Sequence, residues 1–175
     1  MRKVALVTGG GRGIGREIAL AFAREGLAVA VAARTLSQVD DTAQAVRALG
    51  AKALALQLDV TDAAGTAPAV KAVTDALGPV DVLVNNAGIA LSAPFVKTDP
   101  ALWERHLRVN VTGPFLLTRE VLPGMLERRW GRLINVASLA GLFGAPYITA
   151  YATSKHALVG LTRALATEIA GKGVT

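Results

Sequence analysis

The sequence predicts an α/β fold: one domain, residues 1–175, built on a doubly wound parallel sheet. Three observations predict it. Short, near-continuous apolar runs alternate with longer amphipathic stretches, as strands covered on both faces by helices require. Gly26, Gly50 and Gly78 each stand just past an amphipathic stretch, where a helix ends in a left-handed residue. A glycine cluster, Gly9-Gly10-Gly11 with Gly13 and Gly15, joins the first apolar run to the first amphipathic one.

Taken in order, the strands are expected at Val4–Thr8, Ala28–Ala33, Ala53–Leu58, Val80–Val84 and Leu133–Val136. The helices are expected at Ile14–Arg24, Ser37–Leu49, Asp62–Leu77, Pro100–Arg128 and Ala150–Ala170. Thr61-Asp62 and Thr98-Asp99-Pro100 supply start signals: a side-chain oxygen to cap the first N–H groups, and a proline suited to the first turn. Consecutive βαβ units of this kind close into a parallel sheet with right-handed crossovers. There is no internal repeat, linker or low-complexity segment.

Composition removes several classes of function. Hydrophobic residues make up 52% and charged residues 18%, which is too apolar for a disordered chain. No run approaches the roughly 20 apolar residues of a membrane span, so no membrane partner is expected. Met1-Arg2-Lys3 leads directly into Val4-Ala5-Leu6-Val7, too short for a signal-peptide core. With no cysteine, the chain has no disulfide, thiolate nucleophile or cysteine-ligated metal, and a cytoplasmic location is expected. Two histidines, His106 and His156, form no metal-binding pair, and no metal is expected. The net charge of +6 raises nucleic-acid binding as one reading. The basic residues are scattered, however, and the densest group, Arg128-Arg129 with Arg132, is interrupted by Trp130 and Gly131. No nucleic-acid partner is therefore expected; a basic surface suits a phosphorylated ligand or an acidic carrier equally well.

The glycine cluster carries the first chemistry. Thr8-Gly9-Gly10-Gly11-Arg12-Gly13-Ile14-Gly15 lies between a strand and a helix, where backbone must turn sharply and approach a pyrophosphate closely. The helix N-terminus then offers unpaired N–H groups to the anion. At the end of the second strand the chain reads Ala32-Ala33-Arg34-Thr35, with no acid to bond ribose hydroxyls. An arginine there accommodates a 2′-phosphate, and Arg12 adds a second positive charge nearby.

The spacing of Gly9, Gly13 and Gly15, T-G-x-x-x-G-x-G, resembles the nucleotide loop of the short-chain dehydrogenase/reductase family. That resemblance implies a Rossmann fold. It also implies a cofactor site at Gly9, Arg12, Gly13, Ile14 and Gly15, with NADP(H) preferred through Arg34 and Arg12 and NAD(H) possible. It extends to Asp59-Val60 after the third strand, an adenine contact in the family, and to Asn85-Asn86-Ala87-Gly88 after the fourth. There Asn86, Ala87 and Gly88 line the cofactor cleft. From the residues alone, Asp59 reads equally as a turn or capping residue.

Tyr151 and Lys155 stand four apart on an expected helix and so share a face. A free phenol titrates near about 10, and a neighbouring ammonium favours its phenolate. Ser138 lies just past the fifth strand, at the carboxyl end of the sheet where ligands bind. Its separation from Tyr151, 13 residues, is similar to the family's usual gap. The resemblance implies catalysis by Ser138, Tyr151 and Lys155, the last two also touching the cofactor. Asn110 completes the set. Pro114, lacking an N–H, cannot bond the carbonyl of Asn110 four residues back, and a freed carbonyl beside a kink can hold a water. In the family an asparagine here holds a water that links the lysine to solvent.

The implied activity is NADPH-dependent reduction of a carbonyl by hydride transfer, or the reverse alcohol oxidation. The segments 116–129, 133–138 and 138–151 are most similar to 3-oxoacyl-(acyl-carrier-protein) reductases and other ketoreductases, so the expected substrate is a small-molecule or carrier-bound ketone. A non-catalytic NADP(H)-binding regulator or scaffold is the alternative from another class. A homo-oligomer, dimer or tetramer, is expected through the helices after Pro100 and Ala150, where Ala157, Gly160, Leu161 and Ala164 give a small-residue apolar face. The chain stops at Gly171-Lys172-Gly173-Val174-Thr175, where relatives continue into further strands and a substrate-binding segment. The expectation is therefore a sheet that lacks its C-terminal strands and ends at an uncovered fifth one.

Overall fold

The computed structural model describes residues 2–175. Five parallel strands, β1 (Val4–Thr8), β2 (Ala28–Ala33), β3 (Ala53–Gln57), β4 (Val82–Asn85) and β5 (Arg132–Asn135), form one sheet in the order β3-β2-β1-β4-β5. Helices α1 (Gly13–Arg24), α2 (Leu36–Ala48), α3 (Ala63–Leu77), α4 (Pro100–Leu107), α5 (Gly113–Glu127) and α6 (Thr149–Glu168) alternate with them. The fold class is the one expected. The chain runs outward from β1 to β3, then crosses back to β4, so the switch point of the topology lies between β1 and β4. A crevice opens there at the carboxyl ends of the strands.

Alternation along the strands divides the core between two faces. Val4 and Leu6 of β1 pack with Leu83, Val73 of α3 and Leu117, Val121 and Met125 of α5. Ala5 and Val7 pack on the other face with Val29, Val31, Ala19 and Leu20 of α1, and Val39 and Val46 of α2. The strands read as continuous apolar runs because both faces are buried.

The helix boundaries follow their caps. Asp62 accepts from Ala64 N–H at the start of α3, and Asp99 accepts from Leu102 N–H with Pro100 in the first turn of α4. Gly26 and Gly50 follow α1 and α2 at φ of 80° and 81°. Three strands are displaced by one or two residues from expectation. Val80 and Leu58 are buried but lie outside the ladder, so the apolar run overstates the strand.

Two expectations are corrected. The single helix Pro100–Arg128 is three pieces: α4, a π-turn over Arg108–Thr112, and α5. In the π-turn Gly113 N–H reaches back five residues to Arg108 O, the wider turn that a helix adopts ahead of a proline at position 114. The edge of β5 is also not wholly bare. Val174 bridges Gly131 in parallel, Leu133 N–H donates to Thr175 O at 2.8 Å, and Thr175 N–H donates to Gly131 O at 3.1 Å. The last residues thus take the position of a sixth strand.

Side chains tie the sheet to its helices where β4 and β5 end. Asn85 and Asn135 lie opposite in register; Asn85 Nδ2 donates to Asn135 Oδ1 (2.9 Å), and Asn135 Nδ2 donates to Thr162 of α6 (2.8 Å).

Leu117, fully buried between α5 and the sheet, tests this packing. Leu117→Ala is expected to cost about 2–5 kcal/mol of stability, read as a lower urea midpoint at unchanged slope. Ile134→Ala, at a side chain 43% exposed, is expected to cost far less.

Candidate functional site

The crevice is built by lacing the end of β1 to the end of β4. Thr8, 1% exposed, donates its hydroxyl to Val84 O (3.2 Å) and accepts from the N–H groups of Asn86 and Ala87, each at 3.0 Å. Asn86 Nδ2 returns bonds to Thr8 O (2.9 Å) and Gly9 O (3.2 Å). Gly9 has φ of 62°, and a Cβ there would lie 2.9 Å from Ala87 Cα. A Cβ on Gly15 would run into Gly9 O and the Asn86 amide. The two strand ends are therefore in backbone contact.

Arg12, extended at φ −160°, precedes α1 without a side-chain cap, so the first N–H groups of the helix face the crevice without a side-chain acceptor. Next to them is a cavity of about 550 Å³. It brings together Gly9, Arg12, Arg34, Asp59, Val60, Ala87 and Gly88 of the expected residues. Gly15 and Asn86 support the wall from behind, while Ile14 is 66% exposed and does not line the cavity. Arg105 and Arg108, from α4 and the π-turn, also line the cavity and were not expected. The cleft fits a dinucleotide by its own features: backbone too close for side chains, a helix N-terminus, and four arginines in its lining.

Asp59 is fixed in this cavity. Partial burial pushes its carboxyl upward, but the backbone N–H of Thr61 (2.9 Å), its hydroxyl (2.8 Å), and the charges of Arg34 and Arg108 outweigh that and hold it below the ordinary carboxylate value. It is a charged acceptor at neutral pH.

Beyond Gly88 lies the polar cluster. Asn110, fully buried in the π-turn, donates to Ile89 O and to Ser154 Oγ, both at 2.9 Å, and accepts from Ile89 N–H at 2.9 Å. Ser154 donates to Tyr151 O at 2.7 Å. Lys155, 5% exposed, donates from Nζ to Val136 O at 2.7 Å, and burial pushes its ammonium below the ordinary lysine value. A Cβ on Gly88 would stand 3.2 Å from Asn110 Oδ1 and 3.7 Å from Lys155 Nζ, so the loop, the π-turn and α6 converge at one point. Lys155 Nζ is 6.0 Å from the centre of the Tyr151 ring. Ser138 caps the short 3₁₀ turn Leu139–Gly141, its Oγ accepting from Ala140 N–H at 3.1 Å. That turn packs on α6, for a Cβ on Gly141 would be 2.9 Å from Lys155 O.

Sequence reasoning missed Thr8, Ser154, His106, Arg105 and Arg108. His106 is fully buried, with its ring centre 6.3 Å from that of Tyr151. The available signal was spacing: His106 and Asn110 are four apart and share a helix face. Thr8 was also legible as the polar residue closing an apolar strand before a glycine.

Comparison with known proteins agrees with this geometry. Residues 3–175 match the short chain dehydrogenase family. A short chain dehydrogenase of Pseudocercospora fijiensis is 42% identical over 98% of the chain, which spans 56% of that protein's length. A 3-oxoacyl-[acyl-carrier-protein] reductase of Synechocystis is 38% identical over 99% of the chain, which spans 70% of it. The crystal structure of a short-chain dehydrogenase from Streptomyces avermitilis superposes with a TM-score of 0.93 at 38% identity, over all of this chain and 64% of that one. A family model matched over nearly the whole chain, with relatives of about 40% identity, decides the matter: the chain belongs to the short chain dehydrogenase family.

Proposed function

We propose that this chain carries the cofactor site and catalytic groups of an NADPH-dependent carbonyl reductase. The observation that carries the reading is the convergence of Gly88, Asn110 and the buried Lys155 ammonium beside Tyr151. A nicotinamide dinucleotide bound in this cleft supplies hydride transfer to a carbonyl carbon. Gly9 and the start of α1, in the loop that Gly13 and Gly15 shape, would hold the pyrophosphate, Asp59 and Val60 the adenine, and Arg34 with Arg12 the 2′-phosphate.

The protein's own groups handle charge and protons. Tyr151 gives its hydroxyl proton to the carbonyl oxygen as negative charge develops there. Ser138 accepts from Ala140 N–H, which leaves its own hydroxyl proton free to donate to the same oxygen. Lys155 favours the phenolate that Tyr151 becomes, and its place next to Gly88 suits a bond to the nicotinamide ribose. The Asn110 side chain joins the loop after β4 to α6, while its backbone carbonyl, which Pro114 cannot bond, is the group that would hold a water returning a proton to Lys155.

The substrate is read as an apolar ketone, a 3-oxoacyl thioester by likeness to the Synechocystis reductase. In support, Leu91, Phe95 and Val96 on one segment and Leu139, Leu142 and Phe143 on another are exposed apolar side chains. Ala93 N–H donating to Tyr147 O at 2.8 Å draws the two segments together beside Ser138 and Tyr151. A homo-oligomer is supported by exposed Phe115 on α5 and by Gly160 and Ala164 on α6.

Three outcomes are expected. Tyr151→Phe lowers ketone-dependent NADPH oxidation at least ~10²-fold. NADPH binding, followed by fluorescence, changes little; wild-type rates in the variant overturn the assignment. Arg34→Asp shifts the ratio of NADPH to NADH dissociation constants at least ~10-fold toward NADH, the loss of one charged hydrogen bond.

The third concerns pH. Because burial depresses the folded Lys155 value below 10.5, the cost of the buried ammonium is full below the folded value. Between that value and 10.5 the unfolded chain binds more protons, so stability rises with pH. Urea unfolding of wild type minus Lys155→Met is expected to show that rise, and a flat difference across the alkaline range contradicts it.

A further inference from the structure

We propose that His106 is a positioning residue, fastening the loop after β4 to α4 and holding the Tyr151 ring in its proton-transfer position. The inference rests on the reductase reading for its catalytic part and on geometry alone for its structural part.

His106 is 0% exposed, and both ring nitrogens are bonded to backbone. Nδ1 lies 2.8 Å from Leu102 O, one turn back in α4, and Leu91 N–H donates to Nε2 at 3.1 Å. A carbonyl can only accept and an amide N–H can only donate, so the proton must sit on Nδ1 and the lone pair on Nε2. One turn further, Asn110 takes both the N–H and the C=O of Ile89. Two side chains from one helix face therefore strap Ile89 and Leu91, the continuation of the strand that ends in Asn85.

Gly88, immediately before the strapped segment, abuts Asn110 and Lys155. The His106 ring itself meets Tyr151, with centres 6.3 Å apart and planes at 64°, an edge-on pairing that ring quadrupoles favour. Tyr151 is only half-buried, so this ring is a wall that limits its side-chain freedom. A purely apolar residue would fill the space but leave Leu91 N–H without its acceptor. An imidazole meets both needs.

Two variants separate those needs. His106→Phe keeps an aromatic wall and removes the acceptor; His106→Gln supplies an amide oxygen for Leu91 N–H and removes the ring. In His106→Phe, Leu91 amide exchange is expected to rise at least ~10-fold and kcat to fall about 10-fold, with NADPH affinity within about twofold. In His106→Gln, Leu91 protection returns, while the NMR signal of labelled Tyr151, read in a Tyr147→Phe background, stays displaced from its position in the His106 protein. Tyr147 is the chain's other tyrosine, so that background leaves one signal. Unchanged Leu91 exchange and an unmoved Tyr151 signal in both variants overturn the proposal, as does a kcat loss matched by an equal loss of NADPH affinity.

The unaltered chain provides a check that needs no folded variant. Imidazole ¹⁵N shifts are expected to place the His106 proton on Nδ1, and a proton on Nε2 overturns the proposal. If the unaltered protein reduces no ketone, the reductase reading fails, while the exchange and NMR measurements still decide whether His106 holds the loop and the ring.

Discussion

The contact between Gly9 and Ala87 is the constraint from which the site follows. No side chain fits between the ends of β1 and β4, and the Thr8 hydroxyl, shared among Val84, Asn86 and Ala87, holds them at that distance. With the strand ends clamped, α1 must leave at an angle that points its free N–H groups into the crevice. The loop after Asn85 must leave on the other side, toward Asn110 and Lys155. The glycine-loop wall and the polar cluster of Asn110 and Lys155 are two exits from one clamp.

A second constraint is dryness. Lys155 is buried with one carbonyl partner, and Asn110 has its amide fully engaged by Ile89 and Ser154. Burying an ammonium opposes stability unless something else fills the core around it. Here the surrounding bonds are mostly to backbone, which cannot swing away, so the charge is held in place at a cost carried by the two apolar layers. Preorganised charge of this kind suits stabilising a developing oxyanion, since no reorganisation is needed when it forms.

Element order, the glycine loop and the placement of Ser138, Tyr151 and Lys155 were legible in the sequence because each depends on local rules. Periodicity gives strand or helix, glycine gives the turn, and a spacing of four gives a shared face. What was not legible depends on pairs distant in the chain. Thr8 meets Asn86 across 78 residues and Asn110 meets Ser154 across 44, and no local pattern encodes either meeting. The break in the helix after Pro100 was half legible. Pro114 signalled a lost bond, but the form the backbone took, a wider turn, depended on how Gly113 could reach Arg108. The start of pairing beside β5 was not foreseen, for two residues carry no periodicity.

That wider turn has a consequence for how the site tolerates change. A π-turn accommodates an extra residue without breaking the helix, and it rotates everything after it by about 100° relative to everything before it. His106 reaches the loop from before this step and Asn110 reaches the loop and Ser154 from within it, while Leu117, Val121 and Met125 reach the sheet from after it. The alignment of the core with the His106 and Asn110 face is thus set by the number of residues between Leu107 and Pro114, not by their identities alone. Substitutions in that span alter one contact each, whereas the loss or gain of a single residue would turn the helix face that carries His106 away from the loop it holds.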